Sequence, residues 1–305
     1  MHIKKSFAEI IFDAFNHLFL AFWAFIALYP MLYVLFASFS EPTKFIRFRG
    51  FLMYPQGFSL ISYKAVMQNP NIISGYRNTF FVVIFGTLLN LLMTSLGAYF
   101  LSRRNVMWKN AFMIMIVITM YFSGGLIPGY LVVTGLGMKG SLLALIIPGA
   151  VSAYNIIVMR TSIQSGVPAE LEEAAIIDGG GHFTVLFKIV LPLSKAVLAV
   201  MALWYGVGHW NSWYSAAIYL DRREKWPLQL IIREIIAISQ AGSGGGGVTM
   251  GGMTTGLGMG VGDIAHLERT VRFATIIVAT VPILLLYPFL QKHFVKGVLI
   301  GSLKG

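Results

Sequence analysis

The sequence predicts an all-α integral membrane fold of about six transmembrane helices, with a helix-turn-helix outside the bilayer between the fourth and fifth. Three observations predict it. Hydrophobic residues make up 57% of the 305 and charged residues only 11%, where an ordinary soluble domain carries about 25% charged. The mean hydropathy is +0.75. Apolar runs of about 18–24 residues recur along the chain, each able to cross a hydrocarbon core of about 30 Å at about 1.5 Å per residue.

Taken in order, residues 1–17 form a short tail with Lys4 and Lys5, expected on the cytoplasmic side. The first span covers about 18–39. A signal peptide shares its basic start, but the run is longer than a typical signal h-region and no clean small-x-small site follows, so an uncleaved helix is expected. Pro30 predicts a kink within it. The stretch from Ser40 to Arg77, with Pro42, Pro55 and Pro70, reads as a long loop holding a short helix near Leu60–Met67. The second span is placed at 79–101, the third at 111–132 with a break at Ser123-Gly124-Gly125, and the fourth at 142–159, where it stops at Arg160. The fifth follows at 196–219 and the sixth at 273–290. Between these two lie an aqueous loop opened by Asp221 to Lys225, an amphipathic stretch near Leu228–Ile238 and a Gly-rich segment from Gly242 to Gly262. Residues 292–305 close the chain as a basic tail, so that 18–291 form one six-span domain.

Charge excludes some classes and orients the rest. The net charge of +11 is scattered in short runs beside apolar spans, a pattern that fits anionic headgroups and the positive-inside bias better than nucleic acid. The loop from Arg103 to Lys109 and the two basic tails favour cytoplasmic N- and C-termini, although Lys44, Arg47, Arg49, Arg222, Arg223 and Lys225 nearly balance them on the other side. The absence of Cys removes disulfides, thiolate catalysis and Cys-built metal sites. His182 and His209 lie far from other ligand types in sequence, and the 15 Met read as lipid-facing filler, so no metal or cofactor is expected on this chain. No internal repeat supports an inverted-repeat transporter. The 12 acidic residues form no convergent array of the kind a membrane-embedded transferase would need.

The segment 161–193 stands apart. Pro168 followed by Glu170, Glu172 and Glu173 suits a helix N-terminus, where acidic charge meets the positive end of the dipole. Glu173 to Ile177 continue that short helix, and Gly179-Gly180-Gly181 break it. Phe183, Leu186, Phe187 and Val190 then recur at helical spacing, and Pro192 marks the entry to the fifth span. The segment is too polar to span and too amphipathic for a plain linker.

The spacing Glu173-Ala174-Ala175, three residues, Gly179, nine residues, Ile189-x-Leu191-Pro192 resembles the EAA signature of bacterial ABC importer permeases. Asp178 before Gly179 and the ending Leu191-Pro192-Leu193 are similar to the carbohydrate-importing branch, that of the maltose permease subunit. The tail Gln291 to Gly297 with Gly301 to Gly305 resembles the same branch, and Tyr121-Phe122-Ser123-Gly124-Gly125-Leu126-Ile127-Pro128 resembles its polysaccharide and lipoprotein-associated subgroup. The resemblance implies a cytoplasmic coupling helix around Ala174–Gly179 that docks on a separate ATPase subunit, with Glu173 pairing a basic residue there. It implies a second permease subunit, expected as a heterodimer, two ATP-binding-cassette ATPase subunits that use ATP and Mg, and an extracytoplasmic solute-binding protein. It implies carbohydrate cargo, an oligosaccharide being expected; a peptide or amino acid remains the alternative. The chain has no G-x-x-x-x-G-K-[ST] stretch, so it is not expected to hydrolyse ATP itself. The Gly-rich segment 242–262 reads either as a plain extracytoplasmic loop or, by the resemblance, as one that reaches into the binding protein.

Polar and aromatic residues inside apolar spans are the candidates for a substrate path: Ser123, Tyr154, Asn155, Trp204, Tyr205, Trp210 and Asn211, with His209 and Trp213 beside them. Aromatic faces stack on the C–H faces of sugars and Asn bonds hydroxyls. The competing reading is helix packing and interfacial anchoring, in which the same residue types serve equally.

Overall fold

A computed structural model describes residues 6–103, 105–242 and 266–285. Among them all regular structure is helical, apart from an isolated antiparallel bridge between Ser40 and Phe58. The chain divides into two compact units, one of residues 1–69 and 234–280, the other of 70–233 and 281–305.

The first unit starts with α1 (Phe7–Ser38), which takes in most of the segment 1–17 expected as a tail outside the first span. The cause is local: Glu9 Oε2 accepts the Ser6 backbone N–H at 2.8 Å, and the helix begins there. α1 continues through Pro30. α2 (Pro42–Arg47) was not foreseen in the loop after it; Pro42 sits at its first turn, where a missing N–H costs nothing. α3 (Ile61–Met67) follows. The unit closes with the helix of residues 266–285, α14 here, which begins seven residues ahead of the sixth span read from hydropathy. Ala37, Leu52 and Phe273 are its buried centre, and Ser62 Oγ donates to Thr270 Oγ1 at 2.8 Å.

The second unit is organised on α4 (Pro70–Ser102). Among the described residues two helices, α1 and α4, are long and apolar enough to cross a membrane alone. The third apolar run is not one straight crossing. α5 (Lys109–Tyr121) and α6 (Leu126–Gly135) meet at 115°: the chain leaves the helical path at extended Phe122, and Gly125, at φ +83°, redirects it into α6. The fourth run is also displaced. α7 (Leu143–Ile146) is a single turn, Pro148-Gly149 are irregular, and α8 runs from Ala153 to Gly166, with the Ser152 side chain accepting from the Asn155 N–H. It passes Arg160, whose charge does not end it because Nε donates to the Leu101 carbonyl at 3.0 Å. The fifth run is α11 (Lys195–Trp210) and α12 (Trp213–Tyr219), interrupted at Asn211-Ser212. α13 (Leu228–Gly242) follows the aqueous loop.

A stripe of small and polar residues on α4 explains how these helices hold together. Gly75, Asn78, Thr79, Val82, Gly86, Asn90, Thr94 and Ala98 are all buried, most of them three or four residues apart. In lipid, close approach and interhelical hydrogen bonds replace the hydrophobic drive of water. Asn78 Nδ2 donates to the Glu224 and Trp226 carbonyls at 2.8 and 3.2 Å, and Thr79 Oγ1 accepts the Leu228 N–H at 2.8 Å. Asn90 Nδ2 donates to the Gly149 carbonyl at 2.6 Å, while its Oδ1 lies 2.6 Å from His209 Nε2. Thr94 Oγ1 and Tyr205 Oη are 2.7 Å apart. Gly86 lets His209 reach Asn90: a Cβ there would sit 2.5 Å from His209 Nε2.

Asn90→Leu therefore strands both the Gly149 carbonyl and His209. It is expected to cost about 1–2 kcal/mol, and Thr94→Val roughly 0.5 kcal/mol, since intramembrane hydrogen bonds are individually modest. Melting of the purified chain in detergent, followed by fluorescence, checks both the losses and their order.

Candidate functional site

α9 (Ala169–Ile177) stands on Pro168, with Glu170 and Glu172 in its first turn. Its end is a complete glycine stop. Gly179 adopts φ +82°, its N–H donates to the Ile176 carbonyl at 3.0 Å, and the Gly180 N–H donates to the Ala175 carbonyl at 2.8 Å. These are the two bonds of a Schellman motif, which satisfies carbonyls the helix end would leave open. Gly180 is held as tightly as Gly179, since a Cβ on it would lie 2.6 Å from the Ala175 carbonyl oxygen.

After this turn α10 (His182–Leu193) runs towards α11 and meets it at 86°. Its middle, Leu186–Val190, is a π-helical turn. The widened turn accommodates Pro192, whose ring would clash with the Lys188 carbonyl in a regular α-helix. It also shifts the helix phase. Phe183 and Phe187, expected on one face with Leu186 and Val190, are exposed instead, and Val185 joins Leu186 and Val190 inside. That inner face packs in a core with Ala98 and Tyr99 of α4, Met159 and Ile163 of α8, and Met201 and Tyr205 of α11.

The two helices thus differ in kind. Nothing in α9 is fully buried; Glu173, Ala174 and Asp178 are exposed, as are Leu171 and Ile176, and Ile177 is 85% exposed. No salt bridge among the described residues engages Glu170, Glu172 or Glu173. Ala175 and Leu191 pack on the buried core, Ile189 is half-buried, and Pro192 is exposed. A groove of about 500 Å³ runs beside α9, lined by its three glutamates and by Arg103, Asn105 and Gln164.

Residues that sequence reading passed over tie this segment to the spans. Arg103 Nη1 lies 2.9 Å from His182 Nδ1 and donates to Tyr99 Oη at 2.5 Å. Lys109 Nζ caps the Arg103 carbonyl at 2.9 Å and Gln164 Nε2 the Ser102 carbonyl at 3.1 Å. With Arg160 on Leu101, donors including two cations close the carbonyl end of α4, where positive charge is favoured. Arg103, Lys109 and Arg160 were visible only as charges at span ends. Asn90 and Thr94, polar residues four apart in an apolar run, were the signal for the stripe on α4.

The candidate path residues are not all brought together. Tyr154 of α8 and Trp204 of α11 stack at 5.8 Å between centroids, and both remain about half exposed. Tyr205 is buried on Thr94, and Trp210 is buried against Phe80 at 5.8 Å. Asn155 is buried in the first turn of α8, and Asn211 is exposed at the end of α11. Ser123 lies at the α5–α6 bend, where its Oγ accepts the Gly125 N–H at 3.2 Å. Among the described residues no group of three or more His, Cys, Asp or Glu could hold a metal. The tail motif 291–305, most of the Gly-rich segment and the end of the sixth span lie outside the described residues.

Among the described residues, apolar helices carrying an acidic two-helix segment, exposed at one end and packed into them at the other, have the architecture of a membrane protein. No family model matches the chain. It is 39% identical, over 97% of its length and 99% of theirs, to the polygalacturonan/rhamnogalacturonan transport system permease protein YtcP of Bacillus subtilis, and 38% identical, over its whole length and 98% of the other, to Protein LplC of the same organism. Its fold matches, at a TM-score of 0.82 and 30% identity over 96% of this chain and 99% of the other, a bacterial ABC transporter involved in the import of the acidic polysaccharide alginate. The chain belongs to the family of ABC transport system permeases.

The Schellman turn makes a local prediction. Gly179→Val forces a β-branched residue into the left-handed region at about 1–3 kcal/mol, and Gly180→Ala pushes on the Ala175 carbonyl. Both are expected to speed amide hydrogen exchange at residues 178–180 while leaving the protection of α4 unchanged.

Proposed function

We propose that the chain is the permease subunit of an ATP-binding-cassette importer that carries a carbohydrate, an oligosaccharide by preference, across the bacterial cytoplasmic membrane. The observation that carries this reading is the near full-length relation to a polygalacturonan/rhamnogalacturonan permease together with the exposed acidic α9. In this reading the chain makes six crossings with both termini in the cytoplasm. The bent α5–α6 pair supplies the third, α8 the fourth, α11 the fifth and the helix from 266 the sixth.

The geometry supports a division of labour along 168–193. α9, with exposed Glu173 and Ile177 and small Ala174, is the element that docks in a groove of a separate ATPase subunit. α10, anchored by Val185, Leu186 and Val190, carries the movement into α4, α8 and α11. ATP and Mg are bound by two such ATPase subunits. A second permease, differing in sequence, completes the pathway, and an extracytoplasmic binding protein delivers the cargo, with the segment 242–262 reaching towards it. The stacked Tyr154–Trp204 pair is the part of the path best suited to a sugar ring, whose C–H faces pack on aromatic rings.

The test is ATP-driven uptake of labelled oligogalacturonide or maltodextrin in proteoliposomes holding the chain with its partner permease, ATPase and binding protein. Glu173→Lys is expected to leave membrane insertion intact and to lower uptake at least about tenfold, because a like charge opposed in the ATPase groove costs several kcal/mol. Wild-type uptake by that variant would remove α9 from energy coupling. Trp204→Ala is expected to lower uptake several-fold while the ATPase activity of the complex persists; unchanged uptake would assign the Tyr154–Trp204 pair to lipid contact.

A further inference from the structure

We propose that an arginine-lined pocket in the first unit binds the phosphate of an anionic phospholipid. The pocket, about 210 Å³, lies between α1, the α2 region and the start of α14, and is lined by Tyr33, Phe45, Phe48, Leu52, Arg269 and Arg272 among others. None of its lining residues is acidic. Arg269 and Arg272, three apart, share one helix face, so both guanidinium groups address the same opening. Arg272 Nε is buried without a hydrogen-bond partner, and no salt bridge among the described residues engages either arginine. Exposed Arg269 and half-buried Arg272 thus present two guanidinium groups to one opening with no acidic side chain lining it, and their fork geometry suits two phosphate oxygens.

The surroundings select a lipid as the source of that anion. The wall is aromatic: Tyr33, Phe45 and Phe273 pack as a trio with centroids 5.6–6.3 Å apart, and the Arg272 guanidinium lies 4.8 Å from the Phe273 ring. The loop that supplies Leu52 exposes Phe51, Tyr54 and Phe58 at 80%, 64% and 72%. Tyr54, with Tyr33 of the pocket wall, has the apolar ring and polar tip that mark the headgroup level of a bilayer, and Phe51 and Phe58 add apolar surface beside them. α1, which lends Tyr33, has no buried residue in its most apolar 18-residue window, so acyl chains have a surface to lie along directly from the pocket. A basic pocket continuous with a lipid-facing helix offers charge-assisted hydrogen bonds to a headgroup phosphate while its acyl chains stay in lipid.

Native mass spectrometry of the full-length chain, delipidated and then titrated, tests this. The probes are phosphatidylglycerol, phosphatidylcholine with the same acyl chains, and inorganic phosphate. Phosphatidylglycerol is expected to bind roughly tenfold more tightly than phosphatidylcholine, and R269Q/R272Q to abolish the preference. Because Arg272 also packs on Phe273, R269Q alone is the variant safe for folding; several-fold weaker binding is expected from it, and retention from R269K. Equal binding of the two lipids, or an unchanged preference in R269Q/R272Q, overturns the proposal. So does tight binding of inorganic phosphate without any lipid preference. Loss of phosphatidylglycerol on assembly with the partner chains would assign the arginines to an acidic side chain there and equally overturn it.

Discussion

The second unit depends on one constraint, the burial of small and polar residues along a single face of α4. A helix this apolar could dissolve in lipid on any side. Gly86 and the amide of Asn90 make one side costly to expose and profitable to cover. Asn90 bonds two partners at once, His209 on α11 and the Gly149 carbonyl at the irregular entry to α8. Thr94 adds Tyr205, and Asn78 and Thr79 hold the aqueous loop and the start of α13. Every element that α10 packs against is therefore positioned from the same stripe.

The segment 168–193 is built so that its two halves cannot exchange roles. α9 keeps its acids and its apolar tip in the open, and α10 buries a face between α4, α8 and α11. The Schellman turn ends α9 with both of its hydrogen bonds closed onto α9 itself, and α10 starts at His182 directly after it. Arg103, bonded to His182 and Tyr99, links the start of α10 to the end of α4.

Breaks inside apolar runs follow the same economy of backbone groups. Helix ends within a membrane are tolerated where neighbours meet the exposed carbonyls and amides. The Ser123 hydroxyl meets the Gly125 amide at the α5–α6 bend, and Asn90 meets the Gly149 carbonyl before α8. At the water-facing end, Lys109, Arg160 and Gln164 do the same for the last carbonyls of α4.

The sequence by itself determined the solvent and the class. Composition required a membrane, hydropathy located apolar runs, and the Glu173 to Pro192 spacing carried the resemblance to the permease family to which the chain belongs. These are legible because they depend on residue type and on short-range rules: a glycine stop, an acidic first turn, a run long enough to cross. Boundaries were less legible. α1 starts eleven residues earlier than its apolar run and α8 continues past Arg160, because a Glu9 cap and a carbonyl on another helix are invisible to a hydropathy window. Tertiary structure alone decided which aromatic residues are free and which are packed. Trp204 and Tyr205 are neighbours in sequence, yet one stacks with Tyr154 at the surface and the other is buried on Thr94. Successive residues on a helix point about 100° apart, and only the partner helices fix which direction is inside.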